Sequence, residues 1–318
     1  MPTGIAIDLG ATLTRVGLID TSGKIIARTS TPTPHTNIPI FLISLVHQVA
    51  SLADLSHTTG IGISAAGPVN VQKGTLLNPP NLPLRDIPLV GPLSERFGLP
   101  VRLANDCHAG IIGEAYFGAF RSVQNIVYVT FSTGIGGGVL SGGKLILGRD
   151  GNAGEVGHFL VDTTYNLTCG CGYPGHWESY ASGRFLPSFF NVWRDFHDKR
   201  SGKEIFGTAR EIFQKGQEGV PVVQEFLDAL GIINGHGMSD VIVAYDPEVI
   251  ILDGSVALNN PSLLIPPMEE HLDRFLSPPI IRLSRLGGDA PLLGASVLAH
   301  TYDTDVGSVL LHKNPGSD

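Results

Sequence analysis

The chain has 318 residues, 42% of them hydrophobic and 16% charged, with a mean hydropathy of +0.18; this composition excludes a disordered or fibrous chain and predicts a soluble globule. The length is about twice that of a typical domain, so two lobes, each with its own core, and a cleft between them are expected. A net charge of −8 argues against a broad nucleic-acid-binding surface.

The opening MPTGIAIDLG has no basic stretch followed by a long apolar run, and the apolar stretch 38–46 is interrupted by Pro39 and Ser44. Neither has the makings of a secretion signal or a membrane span, so a cytoplasmic protein without a membrane partner is expected. Cysteines stand only at 107, 169 and 171, an odd number with two as C-x-C. That pattern suits a metal better than a disulfide framework, and it fits a reducing compartment.

In chain order, 4–8, 12–20 and 24–30 read as strands separated by Gly10-Ala11 and by Thr21-Ser22-Gly23, which are good turn sequences. A helix over 38–55 follows, then a buried strand at 60–65, a strand at 101–105 and a helix at 107–118. This is α/β alternation. Strands at 125–131 and 136–143 flank a second glycine turn, and 151–180 is irregular and rich in Gly, Cys and His. Beyond it, 181–245 reads as mostly helical, 248–253 as a strand, 289–303 as an amphipathic helix and the last dozen residues as a loose tail. Residues 7–20 and 129–142 repeat one plan, an apolar strand, a small-residue turn with Gly and Thr, and a second apolar strand. A period near 120 residues predicts a duplicated lobe, not a solenoid.

The two glycine turns carry the first chemical signal. Asp8-Leu9-Gly10-Ala11-Thr12 offers a carboxylate at a strand end, turn amides and a hydroxyl, the parts of a phosphate and Mg²⁺ site. Ser132 to Gly138 offers hydroxyls and glycines that let the main chain approach phosphate oxygens. Either turn alone reads equally as structure; two in matching places favour phosphate binding. No G-x-x-x-x-G-K-[ST] stretch occurs, and the near-match Gly60-x-Gly62-x-x-Ala65 lies inside a strand, which leaves nucleotide binding of a two-hairpin, actin-like kind.

Asp106 ends the strand LAND just before a helix. Position alone allows an N-cap; beside Asn105, a donor and acceptor suited to sugar hydroxyls, Asp106 also reads as the acceptor of a proton from an attacking hydroxyl. Glu155 and His158, in the small-residue stretch GNAGEVGH, suit a polyol. Downstream, Cys169 and Cys171 are spaced by one glycine, and His176 and His158 complete four N/S ligands that favour a structural Zn²⁺, with unligated thiols as the alternative. Such an ion would pin the 158–178 loop so that Glu155, His158 and Glu178 face the substrate. Cys107 reads as a small buried side chain with no activating partner.

Together, STGIGGGVLSGGKL, GNAGEVGH and CGCG resemble, in order and spacing, the signature of the ROK family (repressors, open reading frames and kinases), and the likeness covers nearly the whole chain. It implies an α/β, two-lobed, actin-like (ribonuclease H-like) fold, with 1–118 plus about 289–318 as the smaller lobe and 119–288 as the larger. It implies an ATP-dependent hexose kinase, glucose leading and fructose, mannose, N-acetylglucosamine and N-acetylmannosamine open. Asp106 would be the general base, with Gly67, Asn105, Glu155, His158 and Glu178 around the sugar. Asp8, Gly10 and Thr12 would lie near the phosphates and Mg²⁺, Thr133 and Gly134 on the opposite lobe, and Gly254 and Ser255 by the adenosine. Cys169, Cys171, His158 and His176 would hold zinc, His176 standing where the family has a third cysteine, and Ala66 stands where it commonly has proline. A homodimer or homotetramer is implied. The family's regulators carry a DNA-binding domain ahead of the first glycine turn, for which the strand holding Asp8 leaves no room, so that class is not expected.

Overall fold

The computed structural model describes residues 1–79, 84–197 and 205–300. In chain order the described elements are β1 (Thr3–Leu9), β2 (Leu13–Asp20), β3 (Ile25–Pro32), α1 (Ile38–Leu52), β4 (Thr58–Ala65), β5 (Val69–Asn70), β6 (Thr75–Leu76), β7 (Ile87–Pro88), α2 (Val90–Phe97), β8 (Val101–Asn105) and α3 (Asp106–Phe117). There follow β9 (Ile126–Phe131), β10 (Ile135–Ser141), β11 (Lys144–Leu145), a 3₁₀ turn at Val156–His158, α4 (Glu178–Ala181), α5 (Leu186–Phe196), α6 (Ala209–Gln217) and α7 (Pro221–Tyr245). The order closes with β12 (Val249–Asp253), α8 (Ser255–Asn259), α9 (Pro261–Glu270), β13 (Ile280–Leu283) and α10 (Ala290–His300). Contacts divide the chain into two compact units, one of 1–124, 138–154 and the described residues from 285 onward, the other of 125–137 and 155–284.

The first sheet has the order β3-β2-β1-β4-β8 and the second β11-β10-β9-β12-β13. Both therefore place the third, second and first strands of a run side by side and add the fourth and fifth beyond the first, which is the repeated plan read from the two glycine turns. In the first sheet β1 runs antiparallel to β2 and parallel to β4, and β4 is parallel to β8. Side chains alternate across its faces. Ile5, Ile7 and Leu9 share a core with Ile38, Leu42, Leu45, Val46 and Val49 of α1, whereas Ala6 and Ile19 join Leu292, Leu293 and Ala295 of α10.

The helix expected over 289–303 is described over 290–300, residues 301–303 and the expected tail lying outside the described residues. It is not amphipathic, because nine of its residues, Ala290 and Leu292 to Ala299, are buried. Close backbone approach explains this. A Cβ on Gly62 would run into the Ala295 carbonyl and one on Gly294 into the Ala109 carbonyl, so α10 lies against β4 on one side and α3 on the other. A helix covered all round is apolar all round. This packing fixes α3, and with it Asp106.

In the second unit Phe190, Trp193, Phe206 and Phe226 pack as tilted and edge-on ring pairs with centroids 4.8 to 6.2 Å apart. The helix α6 starts at a capping box formed by Thr208 and Glu211. The sequence reading passed over α9, since Pro261, Pro266 and Pro267 resemble loop residues; packing of α9 against α7 overrides that signal.

Candidate active site and metal cluster

Asp106 is the first residue of α3. Its N-cap is Asn105, not Asp106 as strand-end position suggested: the Asn105 Oδ1 accepts the Cys107 N–H at 2.8 Å, while its Nδ2 donates to the Gly67 carbonyl at 3.1 Å. The Asn105 amide thus ties the start of α3 to the loop at Gly67, whose φ of +126° favours glycine. Asp106 accepts the same Cys107 N–H at 3.0 Å. Burial first, and then the like charge of Asp8, raise its carboxyl from the ordinary 3.8 to about 6.

Two residues that sequence reading missed support this end of the unit. The buried His108 donates its Nε2–H to the Ala153 carbonyl at 2.8 Å. Asn152 grips Val69 at both backbone groups, its Oδ1 accepting the N–H at 2.8 Å and its Nδ2 donating to the carbonyl at 3.0 Å. Asn152 lies inside the GNAGEVGH motif, so a signal was present; His108 had none beyond its place in α3.

Asp8 stands at the end of β1, buried, with Arg15 Nη2 at 2.6 Å and Nε at 2.9 Å on Oδ2 and the Ser64 hydroxyl at 3.0 Å on Oδ1. Arg15 also reaches Asp289 at 2.8 Å, and Asp289 pairs with Arg28 at 3.0 Å. Arg15 was missed, although it sits seven residues after Asp8 in the first hairpin. Gly10 closes that hairpin with its N–H on the Leu13 carbonyl at 3.1 Å, and Thr12 beyond it is exposed. In the second turn Ser132 N–H bonds the Gly134 carbonyl at 2.9 Å, with Thr133 exposed at the tip. Gly254, at φ +89°, ends β12 with its N–H on Asp253 Oδ1 at 2.7 Å, and Ser255 is exposed beside it.

In the second unit the four expected metal ligands come together. One donor atom from each of His158, Cys169, Cys171 and His176 lies within 4.8 Å of all the others. The two histidine Nδ1 atoms are 3.2 Å apart, Cys171 Sγ is 3.2 Å from His176 Nδ1, and Cys169 Sγ is 3.9 Å from His158 Nδ1. A tetrahedron built on ordinary Zn–N and Zn–S bonds has edges of about 3.3 to 3.8 Å, so the donor set fits Zn²⁺. Burial pushes the Cys169 thiol up, and metal uptake would displace that proton. With Nδ1 directed into the cluster, the His158 Nε2 lies 4.0 Å from Glu155 Oε2.

Glu178 follows the cluster directly. Its Oε2 accepts the Ile135 N–H at 3.0 Å, and Oε1 lies 3.8 Å from Cys169 Sγ. One carboxylate therefore links the cysteine loop to the second glycine turn. Within each unit the expected residues are brought together: Asp8, Gly67, Asn105 and Asp106 in the first, and Thr133, Gly134, Glu155, His158, Glu178 and the metal ligands in the second.

The sequence pattern of the ROK family matches residues 4–302. The chain belongs to the ROK family. It is 35% identical over 302 residues to a glucokinase of Pyrobaculum calidifontis, covering 93% of this chain and 94% of that protein. It is 32% identical over 306 residues to an N-acetylmannosamine kinase of Shigella boydii, with coverage of 93% and 98%. Among solved structures, a ROK family glucokinase from Streptomyces griseus in complex with glucose and AMPPNP superposes with a TM-score of 0.76 at 32% identity, covering 93% of this chain and 98% of that one. The fold is accordingly the α/β, actin-like fold of the ROK sugar kinases. No helix among the described residues is long and apolar enough to cross a membrane.

Proposed function

We propose that this ROK family member is an ATP-dependent glucokinase that transfers the γ-phosphoryl group of ATP to the 6-hydroxyl of glucose, with Asp106 as general base. The observation that carries the reading is Asp106 itself. It is a carboxylate at the start of α3 that accepts the Cys107 N–H, next to the Asn105 cap, and is raised to about 6 by burial and by Asp8. At pH 7 such a group is largely ionised, yet more basic than an ordinary aspartate, as a proton acceptor needs to be. The relatives named glucokinase support the choice of sugar.

In the reaction Asp106 takes the hydroxyl proton as the sugar oxygen attacks the γ-phosphorus in line. The bond to the ADP oxygen breaks, and glucose 6-phosphate, ADP and a proton on Asp106 result. Asn105, Gly67, Glu155, His158 and Glu178 hold the sugar hydroxyls. The turns at Gly10–Thr12 and Thr133–Gly134 hold the phosphates, and Gly254 and Ser255 lie toward the adenosine. Asp8 would hold the Mg²⁺, which when bound neutralises charge on the transferring group. His158, Cys169, Cys171 and His176 would hold a structural Zn²⁺ that fixes the loop carrying Glu178. Thiols used as metal ligands suit a reducing cytoplasm.

A second sugar, N-acetylmannosamine, is favoured by the Shigella boydii relative. A coupled assay of ADP release with Mg-ATP against glucose, fructose, mannose, N-acetylglucosamine and N-acetylmannosamine separates the two. The expected result is the highest kcat/KM with glucose and none of that release in Asp106→Ala. A preference for N-acetylmannosamine would replace the substrate, and no ADP release with any of these sugars from folded protein would overturn the hexokinase reading.

A further inference from the structure

We propose that Trp177 is a positioning residue for the sugar site, its buried bond to Asn234 fixing the register at which His176 and Glu178 leave the cysteine loop. The inference rests on the glucokinase reading and deepens it. Residues 170–174 of this loop are all exposed, so few side chains can hold it. Trp177 is wholly buried and stands between a zinc-ligand candidate and a sugar-ligand candidate, so any rotation of its backbone moves both.

Four contacts fix the indole and its main chain. Its Nε1–H donates to Asn234 Oδ1 of α7 at 2.8 Å, both groups buried. Its ring meets Phe131 of β9 edge-on, with centroids 5.3 Å apart and planes at 83°. Gly237 supplies the slot, for a Cβ there would run into the indole. The Trp177 N–H donates to the Phe159 carbonyl at 3.0 Å, one residue beyond His158. Trp177 thereby joins the strands of chain that carry His158, His176 and Glu178 to one helix and one sheet strand.

Asn234 discriminates positioning from packing. The indole is a donor only, so the amide oxygen must face it, and the Asn234 Nδ2 finds no protein partner among the described residues. An apolar residue at 234 would remove that amide but leave the buried indole N–H without an acceptor. The acceptor at this position sets the direction of the indole N–H.

The test uses full-length, zinc-loaded protein and three variants, Trp177→Phe, Asn234→Leu and the two combined. Glucose KM, Mg-ATP KM, zinc content, Tm and calorimetric glucose binding are measured. Each variant is expected to raise the glucose KM about tenfold or more, the scale for loss of a group that orients a ligand, with Mg-ATP KM and zinc content near the parent's. In the double variant both polar partners are gone, so Tm returns toward the parent's while the glucose KM stays raised. If glucose KM recovers together with Tm, or is unmoved in the single variants, the pair is structural and the proposal is overturned. A parent that neither phosphorylates nor binds glucose overturns the glucokinase reading, and this inference with it; a parent that binds glucose no better than the double variant does overturns this inference alone.

Discussion

At the scale of single residues, the chemistry turns on how the fold treats charges. The ionised form of Asp106 is disfavoured in the folded chain, since its carboxyl rises from 3.8 to about 6. The folded state therefore holds that proton more tightly than the unfolded chain, and the group's contribution to stability is full below about 3.8 and lost as pH rises through about 6. Two outcomes are expected. The kcat/KM of the parent falls on the acid side through about pH 6, as the base is protonated. Asp106→Asn lowers kcat about 10²- to 10⁴-fold, yet raises Tm at pH 7, measured by calorimetry, because the disfavoured charge is gone. Arg15 is the opposite case. It binds both Asp8 and Asp289; Asp289 keeps Arg28, so Arg15→Met strands the buried Asp8, and denaturant unfolding should show a loss of about 3 kcal/mol along with a raised Mg-ATP KM. The candidates at Asp8, Asn105 and Asp106 were legible because each lies at a strand end in a short motif. Their partners were not, since Arg15 meets Asp289 across 274 positions and His108 meets Ala153 across 45, distances that only packing closes.

At the scale of elements, the cysteine loop and α10 show what local sequence conveys. The loop's cluster of candidate metal ligands was readable from C-x-C and two histidines, since metal chemistry depends on residue type and short spacing. The structure adds that Glu178 bonds the second glycine turn through Ile135, so zinc and sugar affinity should be linked. Removal of zinc by a chelator, or Cys169→Ser, is expected to lower Tm and raise the glucose KM with less effect on Mg-ATP, checked by metal analysis and steady-state kinetics. The parent should hold one zinc per chain and release it more readily as pH falls, because the ligand thiols must lose protons to bind. The helix α10 was found but misjudged. Its mixture of leucine and small residues resembles a one-sided helix, and only the approach of β4 and α3 at Gly62 and Gly294 reveals that both sides are covered. Gly294→Val should therefore cost more than an ordinary surface change, about 1 to 3 kcal/mol or above, as read from the denaturation midpoint.

At the scale of the whole molecule, the first unit is discontinuous in sequence, since β1, β4 and α3 are covered by a helix from the far end of the chain. A chain ended after Ser284 removes Leu292, Leu293 and Ala295 from the core around Ala6 and Ile19. It is expected to lose the cooperative unfolding transition of the first unit, followed by circular dichroism, even though every glycine turn and metal ligand remains. Saturating glucose should raise the Tm of the full chain by mass action, about 2.7 kcal/mol at a hundred times Kd. The duplicated plan of the two sheets was legible because strand alternation and a small-residue turn are local signals that repeat. By itself, then, the amino-acid sequence determined the fold class, the repeated hairpin plan and the chemical types at the candidate site, all of which depend on residues near one another in the chain. Tertiary structure alone decided that Asn105 also reaches Gly67, that Arg15 joins Asp8 to Asp289, that α10 is buried on every side and that Trp177 leans on Asn234. Each of these depends on which distant backbones approach closely enough to share a hydrogen bond or exclude a side chain, and no local pattern records that distance.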